Sequence, residues 1–233
     1  MSKDLIVVKG LTKSYGKKVK NDVLKQVDLT IKEHSLTWIV GASGSGKTTL
    51  LNLITGLDEA SAGEVYISDK LITKMNEKER ANFRSHHLGF VFQFHYLLPE
   101  FNALENILLP LRIQKKRVGK TEREEALKLM ETVGIRHVYN HYPKEMSGGE
   151  QQRTAIARAI MGKPKLIIAD EPTGNLDSAS AEQVYSLIRE LHTNLQTTFI
   201  IVTHANIKPL KGDRIITLKD GEIIKDVLYW CLN

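Results

Sequence analysis

Gly41, Ala42, Ser43, Gly44, Ser45, Gly46, Lys47 and Thr48 form a run whose residue types and spacing suit the binding of a polyphosphate. Glycines let successive backbone N–H groups converge on an anion with no Cβ in the way. A helix beginning near Lys47 would aim the positive end of its dipole at the same anion. Lys47 has the length to reach β- and γ-phosphates, the Thr48 hydroxyl can ligate Mg²⁺, and Thr49 completes the loop. A second cluster follows the apolar run Leu166, Ile167, Ile168, Ala169 and consists of Asp170 and Glu171. Asp170, at the C-terminal end of a buried strand, sits where open α/β sheets place ligands and suits the Mg²⁺ side of such a site. Glu171 is expected to point the other way on an extended backbone, where it can orient or deprotonate water. Together these clusters could hydrolyse a nucleoside triphosphate. Two adjacent acids are more often a solvated turn, but the buried strand before them and Pro172 after them argue against that here.

Periodicity supplies the elements that must hold these residues. Leu36, Thr37, Trp38, Ile39 and Val40 read as a strand that stops at Gly41, and Leu50, Leu51, Leu53 and Ile54 read as the helix that follows, with Gly56 as its stop. The first 70 residues otherwise read as strands and turns, among them 5–8, 27–31 and 63–67. From about Met75 to Lys163 the pattern turns mostly helical, with helices expected over 122–133 and 151–161 around an interruption at Pro143. The last third returns to α/β alternation. Leu166–Ala169 and 198–203 are continuous apolar runs of the kind buried in parallel sheets, a helix is expected over 179–191, and Asp220-Gly221 joins a hairpin of 215–218 with 222–224. The fold class expected is α/β, a mixed core with an inserted helical lobe.

The bulk properties exclude little but bound the partners. The chain has 233 residues, 42% of them hydrophobic and 26% charged, which is ordinary for a water-exposed globular domain. No stretch approaches the roughly 20 apolar residues needed to span a bilayer, and the opening residues are too short in apolar run for a secretory leader. A cytoplasmic location is therefore expected. The single cysteine, Cys231, is expected to be a bystander thiol. The formal charge of +6 would suit nucleic acid, but the basic residues are scattered, densest at Lys17, Lys18 and Lys20 and at Lys115, Lys116 and Arg117, so no nucleic-acid partner is expected.

Met146, Ser147, Gly148, Gly149, Glu150, Gln151, Gln152 and Arg153 resemble the signature sequence of the ATP-binding-cassette ATPases, and the resemblance covers nearly the whole chain. It implies a P-loop NTPase core with an N-terminal antiparallel β subdomain and an inserted α-helical subdomain at about 95–163, within one nucleotide-binding domain over 1–233. It implies ATP and Mg²⁺ as ligands. It also implies a second copy of the chain as partner, whose Ser147, Gly148 and Gly149 would close on the γ-phosphate held by the first. By the same resemblance Tyr15 stacks on adenine, Gln93 touches Mg²⁺ or the lytic water, and Asp177 lies in the loop that crosses the dimer interface. His204 contacts the γ-phosphate, and Lys47 and Glu171 join it as catalytic groups. Many members have Asp after that histidine where this chain has Ala205, which puts the loop geometry in doubt.

The run Asp170, Glu171, Pro172, Thr173, Gly174, Asn175, Leu176 and Asp177 resembles a branch holding lipoprotein-releasing, macrolide-export and cell-division ATPases, and the stretch from Leu88 through Phe94, Tyr96 and Phe101 to Asn106 is similar to its lipoprotein-releasing members. The alternative is a macrolide-export or cell-division type of the same ATPase. Either implies a peripheral protein on the cytoplasmic face of the inner membrane, with permease subunits docking near 93–101. Alternate aromatics through residue 96 also suit one face of a strand.

Overall fold

Apolar residues interleaved with polar ones shape the first part of the chain, seen in a computed structural model that describes residues 3–16, 20–114, 116–204 and 207–229. Lys17, Lys18, Lys115, Ala205 and Cys231 lie outside the described residues. The chain divides into two compact units, Met1–Arg84 with Thr197–Asn233, and Ser85–Gln196.

In the first unit β1 (Asp4–Tyr15) and β2 (Asn21–Lys32) pair antiparallel, and β1 also pairs antiparallel with β4 (Ala62–Ile67). Leu5, Ile6, Val8 and Leu11 of β1 and Leu24, Val27, Leu29 and Ile31 of β2 are buried, with polar neighbours exposed. β3 (Leu36–Val40) lies between the preceding and following strands in sequence but belongs to another sheet. It runs parallel to β8 (Thr198–Thr203) and to β9 (Arg214–Lys219), which turns through Asp220 and Gly221 into antiparallel β10 (Glu222–Leu228). Leu36, Trp38 and Ile39 on β3 and Phe199–Val202 on β8 are all buried, as continuous apolar runs require. α1 (Lys47–Ile54) follows β3, with Gly56 left-handed just past its end. A short β5 (Lys70–Leu71) and α2 (Glu77–His87) come next; Asn76 and Glu79 cap the start of α2 reciprocally.

In the second unit β6 (Leu88–Phe92) runs parallel to β7 (Leu166–Asp170). α3 (Ala103–Ile113), α4 (Lys120–Thr132) and α5 (Gly148–Met161) fall between those strands in sequence, and α6 (Ser178–Leu195) follows β7. Leu104, Ile107, Leu108 and Leu111 of α3 and Ala155, Ile156, Ala159 and Ile160 of α5 supply the core where the two helices pack.

The range 75–163 is mostly helical, as expected, but holds one strand, β6. Its five residues are an apolar strand because they pair, register by register, with β7. The aromatic alternation does not continue as a strand through Tyr96: β6 stops at Phe92, and His95 and Tyr96 are both left-handed. The extended backbone expected for Glu171 is also corrected. β7 ends at Asp170 and Glu171 has φ 48, so the chain turns sharply there.

Candidate nucleotide site

Val40 pairs with Thr203 across parallel β3 and β8, so the loop starting at Gly41 and the residue His204 leave neighbouring strands at the same end. Gly46 caps α1 with φ 100, and a Cβ there would meet the Val23 carbonyl at 2.9 Å, so only glycine suits the turn. The Gly221 N–H donates to the Ser45 carbonyl at 3.1 Å and so anchors the loop to the β9–β10 turn. Lys47 is buried, and its ammonium donates to the Gly41 and Ala42 carbonyls at 2.9 and 3.0 Å, which holds its positive charge over the loop. Ala42, Ser43, Gly44 and Thr48 are exposed, and Thr49 is half-buried one residue further into α1.

Tyr15, at the end of β1, is tied into the same unit. Its phenol donates to Asp58 Oδ2 at 2.7 Å. Lys13 donates to Asp58 Oδ1 at 2.7 Å and to the Glu59 carbonyl at 2.6 Å, and its ammonium lies 4.6 Å from the centre of the Tyr15 ring. Burial acts to raise the Asp58 pKa, but the hydrogen bonds from Lys13, Tyr15 and the Glu59 N–H outweigh it and hold the carboxyl below its ordinary value.

In the second unit Phe92 pairs with Asp170, so Gln93 and Glu171 also leave adjacent strands at one end. Gln93 Nε2 donates to Asn175 Oδ1, and Asn175 Nδ2 donates back to the Gln93 carbonyl, both at 3.1 Å. This leaves the Gln93 side-chain oxygen as the acceptor for a metal or water. Thr48 in the first unit, and Asp170 and Gln93 in the second, each carry a side-chain oxygen of the kind Mg²⁺ prefers, and Mg²⁺ commonly takes few protein ligands beside phosphate and water. The described residues hold no group of three or more His, Cys, Asp or Glu arranged for a metal.

Ser147 is the N-cap of α5, so the signature lies at a helix start and the helix begins earlier than the expected 151. Glu150 accepts from the Ser147 N–H at 2.7 Å and from its hydroxyl at 2.8 Å, and His137 Nε2 lies 2.9 Å from the other Glu150 oxygen. A Cβ at Gly149 would meet nothing within 4 Å. Ser147, Gly148 and Gly149 line a cavity of about 390 Å³ with Asn175 and Asp177. Asp177 caps α6: its Oδ1 accepts from Ala179 and Ser180 N–H groups, both at 3.0 Å, and its pKa is lowered chiefly by the Ser180 hydroxyl.

Sequence reasoning missed Lys13, Asp58, His95 and Arg158. Arg158 of α5 donates to the Tyr96 and His95 carbonyls at 2.6 and 2.5 Å, and the buried His95 ring is bonded to Gln152. Phe94, Tyr96 and Leu98 around them stand 66%, 62% and 43% exposed.

Residues 24–174 match a family described as ABC transporter. The lipoprotein-releasing system ATP-binding protein LolD of Francisella tularensis subsp. tularensis is 44% identical over 224 residues, 96% of this chain and 97% of its own. The protein of the same name from Psychrobacter arcticus is 46% identical over 203 residues, 87% of this chain and 90% of its own. Among solved structures, the dimeric post-hydrolysis state of the ATP-binding cassette MJ0796 bound to ADP and Pi has TM-score 0.86 and 38% identity, with 96% of this chain and 98% of that one covered. A dimeric structure of MJ0796 described as a bacterial ABC transporter cassette has TM-score 0.86, 41% identity and the same coverage. No helix among the described residues is long and apolar enough to cross a membrane.

Proposed function

Since this chain belongs to the ABC transporter family, as an ATP-binding and ATP-hydrolysing subunit with the cassette fold, we propose that it powers a transporter releasing lipoproteins from the bacterial inner membrane. The observation that carries this reading is near full-length identity of 44% and 46% to LolD proteins of separate genera. The working unit is a dimer of two copies sandwiching ATP, peripheral on the cytoplasmic face of the membrane, with no nucleic-acid partner. Permease subunits dock near 93–101, where exposed Phe94, Tyr96 and Leu98 offer apolar anchors. Residues of about 95–163 act as the helical subdomain of one nucleotide-binding domain.

Within this reading each residue has a task. The N–H groups of 41–49 cradle the phosphates, and Lys47 transfers its donors from the Gly41 and Ala42 carbonyls to phosphate oxygens. Tyr15 stacks on the base. Glu171 accepts the proton of the attacking water, and His204 fixes the γ-phosphate. Thr48, Asp170 and Gln93 would hold Mg²⁺, which when bound offsets phosphate charge. Ser147, Gly148 and Gly149 of the second copy close on the γ-phosphate. Asp177 fixes the start of α6 and with it the loop carrying Asn175.

The test is co-purification from detergent-solubilised membranes, then reconstitution of the recovered complex in proteoliposomes. Recovery of a permease and ATP-dependent release of a diacylated lipoprotein are expected. A permease complex that hydrolyses ATP but releases no lipoprotein would sink the lipoprotein assignment and leave the ATPase standing.

A further inference from the structure

The geometry points to Lys13 and Asp58 as positioning residues that fix the Tyr15 ring and leave it one face for the nucleotide base. This rests on the reading of Tyr15 as the base platform and adds residues to it. Three observations carry it. First, the Lys13 ammonium lies 4.6 Å from the ring centre, within the range of a cation–π contact, so that face is closed to a stacking partner. Second, Lys13 cannot swing away cheaply. It is only 8% exposed, and its ammonium is bonded to both Asp58 and the Glu59 carbonyl. Third, the phenol is bonded to the other oxygen of the same carboxylate, which stops rotation of the ring in its own plane. Tyr15 still keeps 43% exposure, so a face remains for a ligand.

The carboxylate thus ties the ring and the cation that covers it into one rigid unit. A tyrosine at a strand end without such ties would have to lose side-chain freedom on each binding event. Here that ordering is already built in before nucleotide arrives. The carboxylate must be ionised for this, as an aspartate ordinarily is at neutral pH, and its pKa is lowered further.

A base platform acts on ATP but not on inorganic tripolyphosphate, which has no base. The full chain is therefore compared for binding of both, as wild type and as Tyr15→Ala, Tyr15→Phe, Lys13→Met and Asp58→Asn. Loss of the ring should weaken ATP by about tenfold, the scale of one base–aromatic stack. Tyr15→Phe, Lys13→Met and Asp58→Asn keep a ring but loosen it, and each should weaken ATP by about threefold through lost preorganisation. Tripolyphosphate binding should be unchanged in all four. If Tyr15→Ala weakens ATP while the three loosening variants bind it like wild type, the positioning claim is wrong and the platform stands. If Tyr15→Ala itself leaves ATP binding unchanged, the platform reading falls first. Equal losses for ATP and tripolyphosphate would mean a disturbed fold and would overturn the claim too.

Discussion

Replacing Gly174 by alanine should slow hydrolysis by displacing a side chain on a neighbouring loop. Gly174 is not left-handed, so its backbone tolerates alanine, and the effect is steric. The new Cβ would lie 2.7 Å from Gln93 Nε2, 2.9 Å from Cδ and 3.1 Å from Cγ. Ordinary contact starts near 3.4 Å, so the amide must retreat by about 0.7 Å. That movement would stretch the 3.1 Å bond from Gln93 Nε2 to Asn175 beyond hydrogen-bonding distance, while the bond to the Gln93 backbone carbonyl can persist. Loss of one exposed neutral hydrogen bond costs about 1 kcal/mol. If Gln93 is needed in place when the phosphate bond breaks, that cost appears as a roughly fivefold fall in kcat. Phosphate release at saturating ATP measures it, and the urea midpoint should move little because both groups are exposed. A double-mutant cycle decides the cause. With the amide gone in Gln93→Ala, the methyl at 174 meets no obstacle and should have no further effect. An equal fall in both backgrounds, or wild-type kcat for Gly174→Ala alone, would refute this account.

Glu171→Gln should cut hydrolysis by about 10²–10⁴-fold and leave an ATP-bound dimer visible by gel filtration, whereas a wild-type rate would remove Glu171 as the base. Asn106 is fully buried, accepts from the Leu98 N–H and donates to the Leu98, Phe101 and Asn102 carbonyls, so Asn106→Ala should destabilise the chain by about 3 kcal/mol in urea unfolding. Burial, helped by the Arg158 charge and opposed by the Gln152 bond, lowers the His95 pKa below its ordinary 6.5. The unfolded chain then binds that proton more tightly, so its share of stability is whole above pH 6.5 and falls as pH drops through the folded pKa. Urea midpoints at pH 7.5 and pH 5.5 should therefore separate more for wild type than for His95→Gln, and equal separations would refute the assignment.

The phosphate loop, β7 and β8 were legible because each joins a continuous apolar run to an abrupt change of residue type. β8 fell on the expected residues 198–203, and the hairpin turned at Asp220 and Gly221. β6 was legible only as an option, since alternate aromatics suited a strand face inside a mostly helical stretch; pairing with β7 decides it. α3 was hidden by Pro110, which would ordinarily break a helix, while its reciprocal cap between Asn102 and Glu105 is a start signal that sequence reading could have used. Glu171 misled because a strand was extrapolated one residue too far, and nothing local to a glutamate announces a left-handed turn. The Tyr15 ties were beyond reach, since Asp58 lies 43 residues away and a lysine beside a tyrosine on a strand is otherwise unremarked.

On the proposed reading one chain holds half a site and should be a poor enzyme by itself. The Ser147 hydroxyl has a single hydrogen, and here it is donated to Glu150 at 2.8 Å. The same carboxylate accepts the Ser147 N–H, so the positive start of α5 is answered within its own chain. To donate to a phosphate, the hydroxyl must turn from that carboxylate, and the incoming anion meets Glu150 at close range. A γ-phosphate held firmly by the other copy, with its charge partly offset, is a partner that could make that exchange favourable. A free nucleotide arriving alone would have to order itself as well. Lys47 sits in a matching position, with its donors on two loop carbonyls until phosphate replaces them. On the proposed reading Lys47 exchanges its loop carbonyls for phosphate when nucleotide fills the loop, and Ser147 exchanges Glu150 for phosphate when the second copy closes, so the Ser147 exchange would tie hydrolysis to closure of the dimer.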